Sequence, residues 1–313
     1  MIAFGIDIGG TRIKAGAVDA DGRVITTEAA PTPPNVTEFR EILDELTSTL
    51  TAAAGRPSGI GIGCKGVIEP ETTRIAVLPG TLHFLEGLRL SELMPPGLPV
   101  RADNDARVAM AGEMVWGAAR GCRNALMLTL GTGVGGAAVV EGSLLRGAAG
   151  VGGHFGHITV DPEGLLCICG NRGCLETVFS ARAIEAEAIA GILRGCDSLL
   201  RLQYHDRLQQ VTCQAVFELA ESGDPLARAI RDRAVKYLAG ALAGLMLALD
   251  PEVVIIGGQI AEAGNSLFDP LSEAVWQRSR GLLAREVPVV PPGVDDATGV
   301  AGAAALVFAA ARQ

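Results

Sequence analysis

At 313 residues, 49% of them apolar, the chain is long enough for one large or two medium domains, each with a core. No apolar run approaches the ~20 residues of a membrane-spanning helix, and the opening MIAFGIDIGG lacks a basic stretch ahead of a hydrophobic one. A formal charge of -9 without any basic stripe speaks against nucleic acid, so the expectation is a soluble cytoplasmic protein that engages neither membrane nor nucleic acid.

The predicted elements open with a strand at 2–8, a Gly9-Gly10 turn, a strand at 12–18, a turn at 19–22 and a strand at 23–28. Phe39, Ile42, Leu43, Leu46 and Leu50 recur at three- and four-residue intervals, which predicts a helix over 38–54. A short strand at 59–63 precedes an irregular stretch from Lys65 to about Gly97, and 100–102 reads as a strand running into a helix at 106–116. The opening theme then returns: strand 125–130, glycine turn 131–136, strand 137–140, a turn at Glu141-Gly142 and strand 143–145. The chain is mainly helical from there to a β-branched strand at 252–256, which ends in Gly257-Gly258. The echo implies two domains of similar core design. They are expected at 1–117 plus 298–313, the smaller, and 118–297, the larger, with a last helix at 300–311 packing back on the first.

Residues 131–136 satisfy G-x-G-x-x-G, the fingerprint of a dinucleotide site, but that fingerprint requires a helix after the turn. Here 137–142 reads as a second strand and a hairpin turn, which discourages a dinucleotide-dependent enzyme. The alternative is a pair of glycine hairpins, Asp7–Gly9–Gly10–Thr11 and Gly131–Thr132–Gly133, whose backbones could approach phosphate oxygens closely. Thr11 and Thr132 would add hydroxyl donors, and Asp7 could hold the hydrated Mg²⁺ that travels with ATP. Either turn alone is more economically an ordinary hairpin; the pair favours the phosphate reading.

Asp103-Asn104-Asp105 lies at a strand-to-helix junction. A carboxylate in a first helical turn is held as the anion by unpaired N–H groups, which suits a general base, although capping by Asp103 or Asn104 explains either residue singly. His157, Cys167, Cys169 and Cys174 form H-x9-C-x-C-x4-C, a four-ligand set for structural Zn²⁺, against a cluster of core thiols or a Cys167–Cys174 disulfide.

DIGGTRIKAG (7–16), NDA (104–106), LGTGVGG (130–136), GHITV…CICGNRGCLE (156–176) and VVIIGG (253–258) together resemble the repressor/open-reading-frame/kinase family of actin-like sugar kinases, over nearly the whole chain. The resemblance implies an α/β fold of two actin-like (ribonuclease H-like) domains with mixed sheets flanked by helices and an interdomain cleft. It implies an ATP-dependent sugar kinase, glucokinase-like, with MgATP as phosphoryl donor. Asp105 would be the general base. Asn104, Gly66, His157 and Glu176 would face the sugar, as would the positions held here by His154 and Lys65, although a solvated loop lysine accounts for Lys65 equally well. Asp7, Gly9, Gly10, Thr11, Gly131, Thr132, Gly133, Gly257 and Gly258 would hold the nucleotide. Zinc on His157, Cys167, Cys169 and Cys174 would order the wall that carries Glu176, and a homodimer is the expected assembly. With six residues ahead of Asp7, the kinase branch is favoured over the repressors, which carry a DNA-binding segment there; a non-catalytic sugar sensor is the alternative from another class.

Three departures bear on the sugar. His154 stands where glucose-specific members usually have Glu, Lys65 where proline is usual before Gly66, and Gly80 where Asn is common. An imidazole can donate, accept or carry charge where a carboxylate only accepts. The exchange points to an acidic or otherwise modified sugar, with N-acetylmannosamine or fructose as further candidates beside glucose.

Overall fold

The computed structural model describes residues 1–78, 82–294 and 299–310; Gly80 lies outside them. The first stretch of chain forms β1 (Ile2–Ile8), β2 (Arg12–Asp19), β3 (Val24–Pro31), α1 (Val36–Ala54), β4 (Ile60–Cys64), β5 (Val67–Glu69), β6 (Arg74–Val77), β7 (Val100–Asn104) and α2 (Asp105–Val115). Then come β8 (Ala125–Leu130), β9 (Val134–Val140), β10 (Ser143–Leu144), α3 (Ala181–Leu193), α4 (Leu199–Tyr204), α5 (Cys213–Glu221), α6 (Pro225–Leu249), β11 (Val253–Gly257), α7 (Asn265–Ser279), β12 (Val289–Val290) and α8 (Val300–Ala310). These elements group into two compact units: Met1–Cys122 with Leu144–Gly153 and the described residues from Pro292 onward, and Arg123–Ser143 with His154–Pro291. The segment 144–153 thus belongs with unit 1, whereas the sequence suggested the second domain for it. Among the described residues no helix is long and apolar enough to cross a membrane.

Unit 1 is built on a five-stranded sheet in the order β3-β2-β1-β4-β7. β1 pairs antiparallel with β2 and parallel with β4, and β4 pairs parallel with β7. Both faces are covered. Phe4, Ile6 and Ile8 alternate onto one face, where Phe39, Leu43 and Leu50 of α1 are fully buried against them. Each such side chain contributes on the order of 1.5–3 kcal/mol by leaving water. The helix starts at Val36 rather than the predicted 38, because Asn35 accepts the Glu38 N–H at 3.0 Å while its amide donates to the Glu38 carboxylate at 2.7 Å. That reciprocal capping pattern is present in the sequence as N-x-x-E.

On the other face α8 rests directly on the strands. A Cβ on Gly5 would overlap the Val300 carbonyl oxygen, and one on Gly61 the Ala303 carbonyl oxygen. Only glycine lets helix backbone touch strand backbone there. The stretch from Lys65 onward is less irregular than expected, since β5 and β6 form a small antiparallel hairpin within it.

Unit 2 repeats the plan with the sheet order β10-β9-β8-β11-β12. β8 pairs antiparallel with β9 and parallel with β11, as β1 does with β2 and β4. β9 begins at Val134, three residues earlier than predicted. Gly135 and Gly136 look like turn residues but pair with Thr129 and Leu128, so the turn itself is only 131–133. A strand, not a helix, comes after the glycines, and the dinucleotide reading falls.

Candidate active site

In unit 1 the parallel strands β1, β4 and β7 end in register, Ile8 beside Cys64 and Cys64 beside Asn104. The residues that leave this edge are therefore Gly9, Lys65 and Asp105, so three sequence-distant motifs emerge side by side. Strand spacing puts the Gly9 and Asp105 backbones roughly 10 Å apart across the edge. Ligands of open α/β sheets collect at such carboxyl ends. The Gly9 N–H donates to the Arg12 carbonyl at 3.0 Å and closes the hairpin, leaving Gly10 and Thr11 exposed. A Cβ on Gly9 would come within 2.7 Å of that same carbonyl, so the first turn needs its glycine for its own geometry. Asp7 is half-buried and lies against Gly299, ahead of α8: a Cβ there would meet the Asp7 carboxyl carbon at 3.0 Å.

Asn104 is the N-cap of α2. Its side-chain oxygen accepts the Ala106 N–H at 3.0 Å and its amide donates to the Gly66 carbonyl at 3.1 Å. This fixes the Lys65-Gly66 loop to the helix start and leaves one N–H and one lone pair of the amide for a ligand. Gly66 is left-handed at φ 90°, which explains the glycine. Asp105, the first residue of α2, is exposed. Beneath it the Cys64 thiol is pushed up to about 12, first by burial and then by the negative charges of Asp105 and Asp7, with Lys65 opposing.

Asp103 does not cap. It is fully buried, as is Arg107 one turn on, and the two pair at 2.5 Å. The second Asp103 oxygen takes Arg146 Nε at 2.9 Å, and the Arg107 guanidinium donates to the carbonyls of Gly152 at 2.6 Å and Gly150 at 3.0 Å. Sequence reasoning missed both arginines, since nothing local pairs residue 103 with residue 146.

In unit 2 the turn Gly131–Gly133 stands at the same kind of strand edge. Gly257 pairs with Thr129, and Gly258, left-handed at φ 86°, sits so close to Leu130 that a Cβ would meet its backbone N at 2.6 Å. Glu176 accepts the Val134 N–H at 2.9 Å, and a Cβ on Gly133 would overlap the Glu176 carboxylate. From the other side Gly156 packs on the Val134 carbonyl, so the His154–His157 segment, Glu176 and the second glycine turn form one neighbourhood. Next to it a cavity of about 440 Å³ is lined by Thr212, Cys213, Phe217, Gln259, Ile260 and Ser266 among others. The Ser266 hydroxyl is buried there with no hydrogen-bond partner. This cavity comes directly after Gly257-Gly258 in the chain, yet its other wall, α5, carries no motif that would have marked it.

The thiols and imidazole gather as the spacing suggested. The ligand atoms of His157, Cys167, Cys169 and Cys174 all lie within 4.8 Å of one another. His157 Nδ1 to Cys167 Sγ is 3.5 Å, and Cys169 Sγ to Cys174 Sγ is 3.6 Å. Tetrahedral zinc with ordinary bond lengths separates such donors by roughly 3.5–3.8 Å, so the residues fit the ion. Gly170 and Gly173 are left-handed and shape the knuckle, in which the Cys167 N–H donates to the Asn171 carbonyl at 2.7 Å. Without metal, burial pushes the Cys174 thiol up to about 12 and the Cys167 thiol up, while the Asn171 N–H draws Cys169 down. A bound cation would hold all three as thiolates. Cys64 and Cys213 are buried; Cys122 and Cys196 are partly so.

An α/β protein of two units, with duplicated five-stranded sheets and paired glycine hairpins, has close counterparts. The ROK family model matches residues 3–310. A glucokinase of Halalkalibacterium halodurans is 39% identical over 86% of this chain and 83% of its own. An N-acetylmannosamine kinase of Citrobacter koseri is 34% identical over 92% and 91%. The crystal structure of a ROK family glucokinase from Streptomyces griseus in complex with glucose and AMPPNP superposes with a TM-score of 0.79 at 30% identity, over 98% of this chain and 99% of that one. The chain belongs to the ROK family.

Proposed function

We propose that this protein is an ATP-dependent hexose kinase, glucokinase-like, in which Asp105 accepts the proton of the sugar hydroxyl as the γ-phosphoryl group is transferred. The observation that carries this is the edge of unit 1: an exposed carboxylate opens a helix, in register with an exposed glycine turn and beside an asparagine already tied to the Lys65-Gly66 loop. Phosphoryl transfer asks little covalent help of a protein, so positioning, charge and a base suffice. The α2 N-terminus favours the ionised form of Asp105, the form a base requires. Asn104 uses its remaining N–H and lone pair on a sugar hydroxyl. Asp7 meets the hydrated Mg²⁺ that arrives with ATP.

Unit 2 supplies the second anion-accepting turn, Gly131–Gly133, and beyond Gly257-Gly258 the cavity takes the adenosine. His154, His157 and Glu176 contribute to the sugar site. His157, Cys167, Cys169 and Cys174 would hold Zn²⁺ with all four positions filled, so the ion orders the fold around Glu176 and takes no part in transfer. We expect the enzyme in the cytoplasm, where ATP is plentiful, and as a dimer.

Glucose is the leading acceptor. A modified or acidic sugar is the second reading, supported by His154 and Lys65 and by 34% identity to an N-acetylmannosamine kinase beside 39% to a glucokinase. The test is ADP release over a panel of glucose, N-acetylmannosamine, fructose and uronic acids, with Asp105→Asn alongside. The variant should lose about 10²–10⁴-fold in kcat, the range for a positioned base, with ATP affinity retained. Equal rates in the two proteins remove Asp105 from the mechanism; no transfer to any sugar removes the kinase.

A further inference from the structure

Two residues before the base and two after it stand a carboxylate and a guanidinium that never reach solvent. Burying such a pair costs desolvation that apolar side chains of similar volume would avoid, so its presence beside Asp105 calls for a reason beyond stability. The partners give one. Arg107 donates from its two terminal nitrogens to the Gly152 and Gly150 carbonyls, and Arg146, at the head of the same segment, returns to the second oxygen of Asp103. Gly150, left-handed at φ 76°, is pressed so close to the Ile68 carbonyl that no side chain fits. Ile68 is two residues beyond Gly66, whose carbonyl holds Asn104, and the Asn104 N–H donates to Asp103 at 2.8 Å. The contacts close into a ring: Asp103, Arg107, the 150–152 backbone, β5, Gly66, Asn104 and Asp103 again.

We propose that Arg107 and Arg146, clamped on Asp103, are positioning residues for the sugar. They set the Lys65–Ile68 loop and the 146–153 segment, which leads straight into His154, at fixed distances from Asn104 and Asp105. The inference rests on the kinase reading and names the part of that site which governs the acceptor rather than the nucleotide. Arg107 is planar and forked, and one guanidinium serves a carboxylate and two carbonyls at once; a lysine ammonium cannot keep that geometry.

Arg146→Met is the decisive variant, because Arg146 is about one-third exposed (36%) and its loss leaves the buried Asp103–Arg107 pair intact. Sugar KM should rise about tenfold or more while ATP KM stays within about twofold. Backbone amides of 147–153 should exchange hydrogen about tenfold faster, with those of Gly131–Val134 unchanged. Arg107→Lys should fall between wild type and Arg107→Met in sugar KM. An active Arg146→Met with unaltered sugar KM, or with sugar and ATP KM raised together, overturns the positioning role and leaves the kinase standing. A wild-type protein that transfers phosphate to no sugar overturns both.

Discussion

Glu113→Gln tests how α2, which begins with Asp105, is fastened at its far end. The Glu113 carboxylate is 1% exposed and accepts three backbone N–H groups: Ala118 at 2.7 Å and Gly293 at 2.9 Å on one oxygen, Val294 at 3.0 Å on the other. An amide has a single oxygen. At best it keeps the two donors on one side and turns its own NH₂ against the third. Bonds to a charged acceptor are worth about 1.5–3 kcal/mol and neutral ones about 1. One bond lost and two weakened, offset in part by the smaller cost of burying a neutral group, come to about 2–4 kcal/mol. For a unit of this size each kcal/mol moves Tm by about 2–4 °C, so the melting temperature should fall by roughly 4–16 °C. Differential scanning fluorimetry of wild type, Glu113→Gln and Glu113→Ala reads this directly, with Asp105→Asn as the exposed control, which should move Tm far less because a charge at an exposed helix start is worth at most about 1 kcal/mol. A Glu113→Gln protein melting within about 2 °C of wild type would refute the three-donor account.

The zinc site makes a separate claim. Purified protein should carry one zinc per chain by elemental analysis, and removal by a strong chelator should lower Tm, since an ion at about 100 times its dissociation constant stabilises by about 2.7 kcal/mol. Cys174→Ser should abolish the metal content, and a wild-type protein isolated without zinc that melts unchanged on zinc addition would end the proposal. Glu252 predicts an acid limb: its carboxylate accepts the Arg123 and Asn124 N–H groups at 2.7 and 2.9 Å, and these bonds, from Asn124 first, hold its pKa below the usual glutamate value. A depressed carboxyl contributes stability above the unfolded value and loses it as pH falls through the folded one. The Tm gap between wild type and Glu252→Gln should therefore be full at neutral pH and close on acidification below the ordinary glutamate range; a gap independent of pH would contradict the assignment.

The readings that succeeded rest on local physics. The α1 stripe comes from the helical period, the hairpins from alternation broken by glycine, and the cysteine knuckle from ligand spacing within one loop. Asn104-Asp105 was legible as a helix start because an asparagine before an acidic first turn satisfies unpaired N–H groups wherever it stands. The roles within that triplet were not legible, since any short polar side chain can cap and only the fold reveals that Asp103 is otherwise engaged.

Composition and local pattern by themselves determined most element types, the duplicated plan and the knuckle, because each depends on residues close together in the chain, whereas the β5–β6 hairpin was not legible. Tertiary structure alone decided which polar groups are paired: Asp103 with Arg146 across 43 residues, Glu113 with Val294 across 181, Glu176 with Val134 across 42. It also decided that 144–153 belongs to unit 1 and that a cavity opens beside Gln259. A buried charge must find a partner, but its own neighbours in the chain do not say which, because the choice is made by strands and helices that meet only when the apolar faces have closed.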